Sequence, residues 1–279
     1  MLDAYNARSD SCIWPDVARY EIMVTSIQPG TNTIGSVRTY MCNGYTAVNY
    51  SITCQSNAQW TAPNFMCVST GQYSTEWPFG SFSLLQPLAG CPSGFESGSR
   101  MWHTEQTSTN EMSPGSNLKG FATGANVEWH FCTRVVFLPS LSSSKNNWPR
   151  GNYCVMRFGG ICPEGFDEGN IFWDEEDSDV TDRQMNGTMP DGTFDVNSRI
   201  HFCCRNDDDP RNPIMLPRTK PFILFRYTLD ECQEVFNMTF TKENTQFMDE
   251  TFNNGDVAFG ETPRKDGPPN WRIYYCYYE

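Results

Sequence analysis

The chain has 279 residues, 12 cysteines and a formal net charge of −13, a length that allows one large domain or two unequal ones. An acidic balance of this size works against binding nucleic acid or anionic membrane surfaces, which depends on lysine and arginine. No apolar run approaches the roughly 20 residues that span a bilayer. The even set of cysteines contains no Cys-x-x-Cys, so zinc-ribbon and thioredoxin-like spacings are absent. Cysteines spread in this way form disulfides, which persist in oxidising compartments and predict a secreted, extracellular protein. The sequons Asn49-Tyr-Ser, Asn186-Gly-Thr and Asn237-Met-Thr fit the same address. The opening Met1-Leu2-Asp3-Ala4 lacks the basic start and apolar core of a signal peptide, which implies a mature or recombinant form whose leader is missing. Glycine, proline, asparagine and aromatics are plentiful, and no long stretch has helical periodicity. The chain is therefore expected to be all-β, with short strands joined by turns.

Residues 10–70 carry Cys12, Cys42, Cys54 and Cys67. Around them stand Cys12-Ile-Trp-Pro15, Tyr40-Met-Cys42-Asn-Gly44-Tyr45, Ser51-Ile-Thr-Cys54, Gln59-Trp60, Pro63 and Cys67. Spacing alone leaves three pairings open. The segment resembles a sushi, or complement control, module. That resemblance implies Cys12–Cys54 and Cys42–Cys67 bridges, with Trp60 as an aromatic plug between them. A segment this short buries little apolar surface and needs such staples. Sushi modules serve as spacers or as protein-binding units.

Residues 77–279 show internal repetition. One stretch runs from Trp77-Pro-Phe-Gly80-Ser-Phe82 through Cys91-Pro-Ser-Gly94-Phe95 and Trp102 to Trp129-His-Phe131-Cys132. A second runs from Trp148-Pro-Arg-Gly151-Asn-Tyr153 through Cys162-Pro-Glu-Gly165-Phe166 and Trp173 to Ile200-His-Phe202-Cys203. The two Trp-Pro starts are 71 positions apart, and 41 positions separate the opening and closing cysteines of each stretch. A more diverged third copy begins near Pro221-Phe222 and ends at Ile273-Tyr-Tyr-Cys276, with 44 positions between Cys232 and Cys276. The expected repeats are 77–147, 148–220 and 221–279. Equivalent cysteines should form equivalent bridges: Cys91–Cys132, Cys162–Cys203 and Cys232–Cys276. Cys154 and Cys204 then pair by elimination. Cys203 and Cys204 are adjacent and point to opposite faces of an extended strand, so exchanged partners stay open. Each loop closed in this way contributes roughly 4 kcal/mol in the chain-entropy view. The expected body is an antiparallel, disulfide-rich β domain of three repeats, β-prism or β-trefoil-like.

The second segment also resembles the C-terminal domain of apextrin, the ApeC domain. The resemblance rests on both Trp-Pro-x-Gly-x-aromatic starts, both Cys-Pro-x-Gly-Phe-x-x-Gly elements, Trp173-Asp-Glu-Glu-Asp177, Pro190-Asp-Gly192, Phe202-Cys-Cys-Arg205, Leu216-Pro217, Cys232-Gln233 and Tyr275-Cys-Tyr-Tyr278. Trp102-His-Thr-Glu105 replaces a more acidic stretch, so a site of acidic residues there is not expected. The resemblance implies extracellular innate immunity in invertebrates, with binding of bacterial peptidoglycan or muramyl peptides and agglutination of bacteria. Other apextrin-like proteins belong to secreted layers of embryos.

Candidate chemistry is sparse. Asp174, Glu175, Glu176, Asp177, Asp179 and Asp182 form an acidic run that invites calcium at Asp174, Glu176 and Asp177, although it lacks the spacing of an EF-hand loop. Apart from calcium no cofactor is expected. Nothing singles out the carboxylate pair that glycoside hydrolysis needs. His103, His130 and His201 come without a nucleophile motif. Trp102 and Trp173, with Asp174 and Glu175, are candidates to line a glycan groove, because exposed aromatics grip sugar faces; the competing reading puts both tryptophans in the core. The functional expectation is a non-enzymatic, secreted recognition protein that binds peptidoglycan or muramyl peptides. A protein partner through the sushi module and homo-oligomerisation complete the expected partners. The alternative is a self-associating extracellular matrix protein that responds to calcium.

Overall fold

A computed structural model describes residues 24–27, 33–42, 45–48, 51–57, 59, 66–69, 76–104, 109–136, 147–175, 184–248 and 254–279. The chain divides into two units, Met1–Tyr73 and Ser74–Glu279. The described residues form strands and turns, with no helix among them.

In the first unit β1 (Val24–Ile27), β2 (Val37–Cys42) and β4 (Ser51–Thr53) make a three-stranded antiparallel sheet, and β3 (Tyr45–Val48) pairs with β5 (Met66–Ser69). A turn at Thr33–Ser36 closes through Ser36 N–H to Thr33 O, and Cys54 exchanges backbone hydrogen bonds with Gly35 and Ser36. Cys54 is buried and disulfide-bonded. Cys12, Asn49 and Trp60 lie outside the described residues, as do the side chains of Cys42 and Cys67.

The second unit is built from β6 (Phe82–Leu85), β7 (Glu96–His103), β8 (Glu111–Met112), β9 (Gly120–Thr123), β10 (Asn126–Arg134), β11 (Asn152–Arg157), β12 (Asp167–Trp173), β13 (Met185–Gly187), β14 (Gly192–Phe194), β15 (Ser198–Asn206), β16 (Phe222–Arg226), β17 (Phe240–Gln246), β18 (Val257–Gly260), β19 (Lys265–Asp266) and β20 (Arg272–Tyr278). These join in one 15-stranded sheet whose pairings branch without closing into a ring. Every pairing is antiparallel. Three long strands act as spines. β10 pairs with β7 along one edge and with β9 and then β6 along the other. β15 does the same with β12, β14 and β11, and β20 with β17, β19 and β16. β11 joins β6 and β16.

Successive strand residues point to opposite faces, and the burial follows that period. Val127, Trp129 and Phe131 of β10 turn inward, as do Ile171 and Trp173 of β12 and Ile273 and Tyr275 of β20. β6 and β16 are instead buried at every position, because they lie between two apolar clusters. Leu85, Cys154, Met156, Ile223 and Phe225 face the first cluster, around Trp102, Trp129, Trp173 and Phe247. Phe82, Leu84, Tyr153, Val155, Phe222 and Leu224 face the second, around Trp77, Trp148 and Tyr278. Within the first cluster Trp102 meets Trp129 edge-on at 5.5 Å and Phe247 at 5.4 Å. A ring of this size buries roughly 150–250 Å², which at about 25 cal/mol/Å² contributes on the order of 4–6 kcal/mol before entropy is counted.

The disulfides are Cys91–Cys132, Cys154–Cys204, Cys162–Cys203 and Cys232–Cys276. Cys154 and Cys204 stand directly opposite on β11 and β15 and belong to the first cluster, whereas Cys203 belongs to the second. Alternation puts the adjacent cysteines on opposite faces, and the cluster beyond each face decides which takes which partner. Short strands tie the spine groups together: β13 lies on β7, β18 on β12 and β8 on β17. The first two crossings place Gly98 opposite Gly187 and Gly169 opposite Gly260. A Cβ at Gly98 would sit 2.2 Å from Thr188 O, and one at Gly169 2.1 Å from Glu261 O. Only the missing side chain allows that approach. Near the third crossing the Glu243 carboxylate accepts from Asn117 N, Asn117 Nδ2 and Ser116 Oγ.

Candidate functional site

β6 and β11 touch through only Met156↔Ser83 and Arg157↔Phe82. Beyond that short contact the Trp77-Pro-Phe-Gly80 segment, Val135-Val136 just after β10, and the loop after β11 border an open groove of about 460 Å³. Phe79, Val135, Val136, Phe158, Ile161 and Pro163 give it apolar sides. Ser81, Asn147 and Glu164 supply its polar side chains, and among the described residues Glu164 is the one charged residue lining it. Trp148 lines it too, although only 5% exposed; Ile161 is 78% exposed.

The borders are held from behind. Trp148 packs edge-on against Phe82 at 4.7 Å and Phe166 at 5.5 Å. Arg134 Nη1 donates to Trp77 O at 2.8 Å and to Pro78 O at 2.6 Å, fastening the end of β10 to the Trp-Pro segment. Burial pulls the Arg134 guanidinium below the usual arginine value against the opposing charge of Glu76. Val136 N–H donates to Ser81 Oγ at 3.0 Å. On the opposite side the Asp191 carboxylate accepts from Gly159 N at 3.0 Å, Gly160 N at 2.7 Å and Arg157 Nε at 2.8 Å. Glu164 sits in a turn closed by Phe166 N–H to Pro163 O. Gly165, at φ 84°, takes the left-handed conformation that this turn requires. The Cys162–Cys203 disulfide anchors the turn. A concave, apolar site with a few fixed polar groups is the usual form of a small-ligand pocket.

The residues expected to grip a glycan are elsewhere. Trp102 and Trp173 are fully buried, so neither offers a ring face to a ligand; both are core residues, and the groove reading for them is corrected. Both sit where strand alternation turns a side chain inward, and the core is large enough to take them. Glu175 is also fully buried. It pairs with Arg100 Nη2 at 2.7 Å and accepts from Ser198 Oγ and His103 N. Burial raises its pKa despite those three partners. It is a structural ion pair closed off from ligand. Asp174 accepts from Gly255 N at 2.7 Å, while its own amide donates to Asp256; it is a loop clamp. Glu176 and Asp177 lie outside the described residues. Among the described residues no group of three or more His, Cys, Asp or Glu side chains is placed to hold a metal ion.

His130 contacts Glu128 at 3.2 Å and His201 contacts Glu168 at 3.0 Å, while His103 bonds Asn126. Asn186 and Asn237 are exposed. Phe79, Phe158, Ile161 and Glu164 were missed as site residues. Phe79 and Glu164 stood inside the recognised Trp-Pro-x-Gly and Cys-Pro-x-Gly motifs, where proline and glycine pointed to turns rather than to a ligand.

The C-terminal unit is thus a disulfide-braced, antiparallel β domain with an apolar surface groove, a construction that fits an extracellular protein. The sequence model for the C-terminal domain of apextrin (ApeC) matches residues 77–278, and the chain belongs to that family. No curated protein and no solved structure matches it.

Proposed function

We propose that the protein is a secreted innate-immune recognition protein that binds bacterial peptidoglycan or muramyl peptides without cleaving them, and that the groove between β6 and β11 is its ligand site. The observation that carries the reading is the groove itself: apolar and aromatic sides with only a few polar groups, on a rigid border. Sugar C–H faces and short acyl or peptide side chains bury well on such surfaces. Among the described residues one carboxylate lines the groove, which supports binding without hydrolysis, because glycoside cleavage needs two carboxyls facing each other across the bond. The groups of strands around β10, β15 and β20, each closed by its own disulfide, support a threefold-reiterated body. The N-terminal unit, with its short antiparallel strands, is read as a sushi-like module that spaces the domain or holds a protein partner. Several copies on one particle would raise avidity through effective concentration.

The direct test is a pull-down on insoluble peptidoglycan with cellulose as control. Enrichment on peptidoglycan and no release of soluble sugar are expected. Equal retention on both solids would sink the proposal.

A further inference from the structure

The groove's chemistry narrows what enters it, and this step rests on the groove being the ligand site proposed above. Glu164 is exposed at a turn whose backbone is fixed by the Pro163–Phe166 hydrogen bond and the Cys162–Cys203 disulfide. Among the described residues it carries no hydrogen bond or ion pair. Among the described residues the neighbouring charges are engaged. Arg157 is bonded to Glu168 and Asp191, Asp191 also holds the Gly159 and Gly160 amides, and Arg134 holds the Trp77 and Pro78 carbonyls. Among the described residues the carboxylate is thus uncompensated, and it lines the groove with Phe79, Phe158 and Ile161. The corresponding turn after Cys91, closed by Phe95 N–H to Pro92 O, carries Ser93 in that position.

A carboxylate without a partner beside apolar side chains attracts a cation, modestly at an exposed position. A primary ammonium on an aliphatic stem satisfies both parts of the surface: the methylenes lie on the apolar side chains while the head reaches the carboxylate. A neutral glycan leaves the charge unused. We infer that the groove selects a free primary ammonium on an aliphatic stem, of the kind a lysine-type cell-wall stem peptide presents.

The test uses the full chain and two probes: a lysine-containing muropeptide with its ε-amine free, and the same muropeptide with that amine acetylated. Titration calorimetry at low salt should show the free-amine probe binding at least tenfold tighter, with the preference shrinking as salt is added. Glu164→Gln should abolish the preference, and an unfolding midpoint in denaturant equal to the wild type shows that the variant is folded. Equal wild-type affinity for both probes overturns the ammonium inference and leaves the cell-wall reading standing. A preference that survives Glu164→Gln overturns the assignment of the ammonium to this groove. Binding of neither probe overturns the proposed function and the inference together.

Discussion

The junction of β6 with β11 and the junction of β11 with β16 are built on similar plans but end differently. At each, an arginine on a spine strand clamps a Trp-Pro segment: Arg134 bonds Trp77 O and Pro78 O, and Arg205 bonds Trp148 O at 2.9 Å. At the second junction Gln233 fills the space. Its Oε1 accepts from Asn152 N at 2.8 Å, and its Nε2 donates to Asn212 O at 2.7 Å. Asn152 reaches on to Asn206 and Thr228, and Asp207 accepts from Gly151 N and Arg205 Nε. A Cβ at Gly151 would lie 2.4 Å from Gln233 Oε1, whereas one at Gly80 would meet nothing nearer than Pro163 at 3.8 Å. Proline has no amide side chain to bridge the gap, so the first junction stays an apolar groove.

That contrast can be broken first at the sealed seam, where the effect is largest. Gln233→Leu removes the bridge and leaves the buried Asn152 amide and the half-buried Asn212 carbonyl without it; a stability loss of about 2–4 kcal/mol is expected in denaturant unfolding. A loss under about 0.5 kcal/mol would mean that the network is not what closes the junction. Phe158→Ala acts on the open seam and should weaken muropeptide binding roughly tenfold, about 1.4 kcal/mol, with an unfolding midpoint close to wild type.

A smaller effect comes from pH. Burial alone would raise the Asp207 carboxyl, but hydrogen bonds from Arg205 and the Gly151 amide, together with the Arg205 and Arg150 charges, hold it below the usual aspartate value. Its stabilising contribution is present above the unfolded aspartate value, about 3.9, and is lost as pH falls through the lower folded one. Acid titration of stability should therefore steepen below about pH 4, and Asp207→Asn should flatten that limb. An unchanged profile in the variant would remove Asp207 from the seam. The smallest change is Ile161→Ser: stability should stay within about 0.5 kcal/mol, as at most exposed positions, while muropeptide affinity falls measurably. Unaltered affinity would place the ligand away from this wall.

Much of the scaffold was written locally. Val127, Trp129 and Phe131 alternate inward along β10 as a period of two requires, and the cysteine register over residues 77–279 agrees with the bonds Cys91–Cys132, Cys162–Cys203 and Cys232–Cys276. The choice between Cys203 and Cys204 was not local, because it depends on which of two clusters lies beyond each face of β15. The fate of Trp102 and Trp173 was not local either. An aromatic beside acidic residues reads the same in sequence whether it ends in a core or on a rim.

The sequence by itself determined an all-β, disulfide-closed domain of the apextrin C-terminal family, since strand alternation, turn residues and cysteine spacing act over short distances along the chain. Only the tertiary structure decided that Glu175 is locked against Arg100 and that Phe79, Val136, Phe158 and Glu164 share one groove. Those groups come from separate segments, and packing alone settles which of them lose water and which keep it.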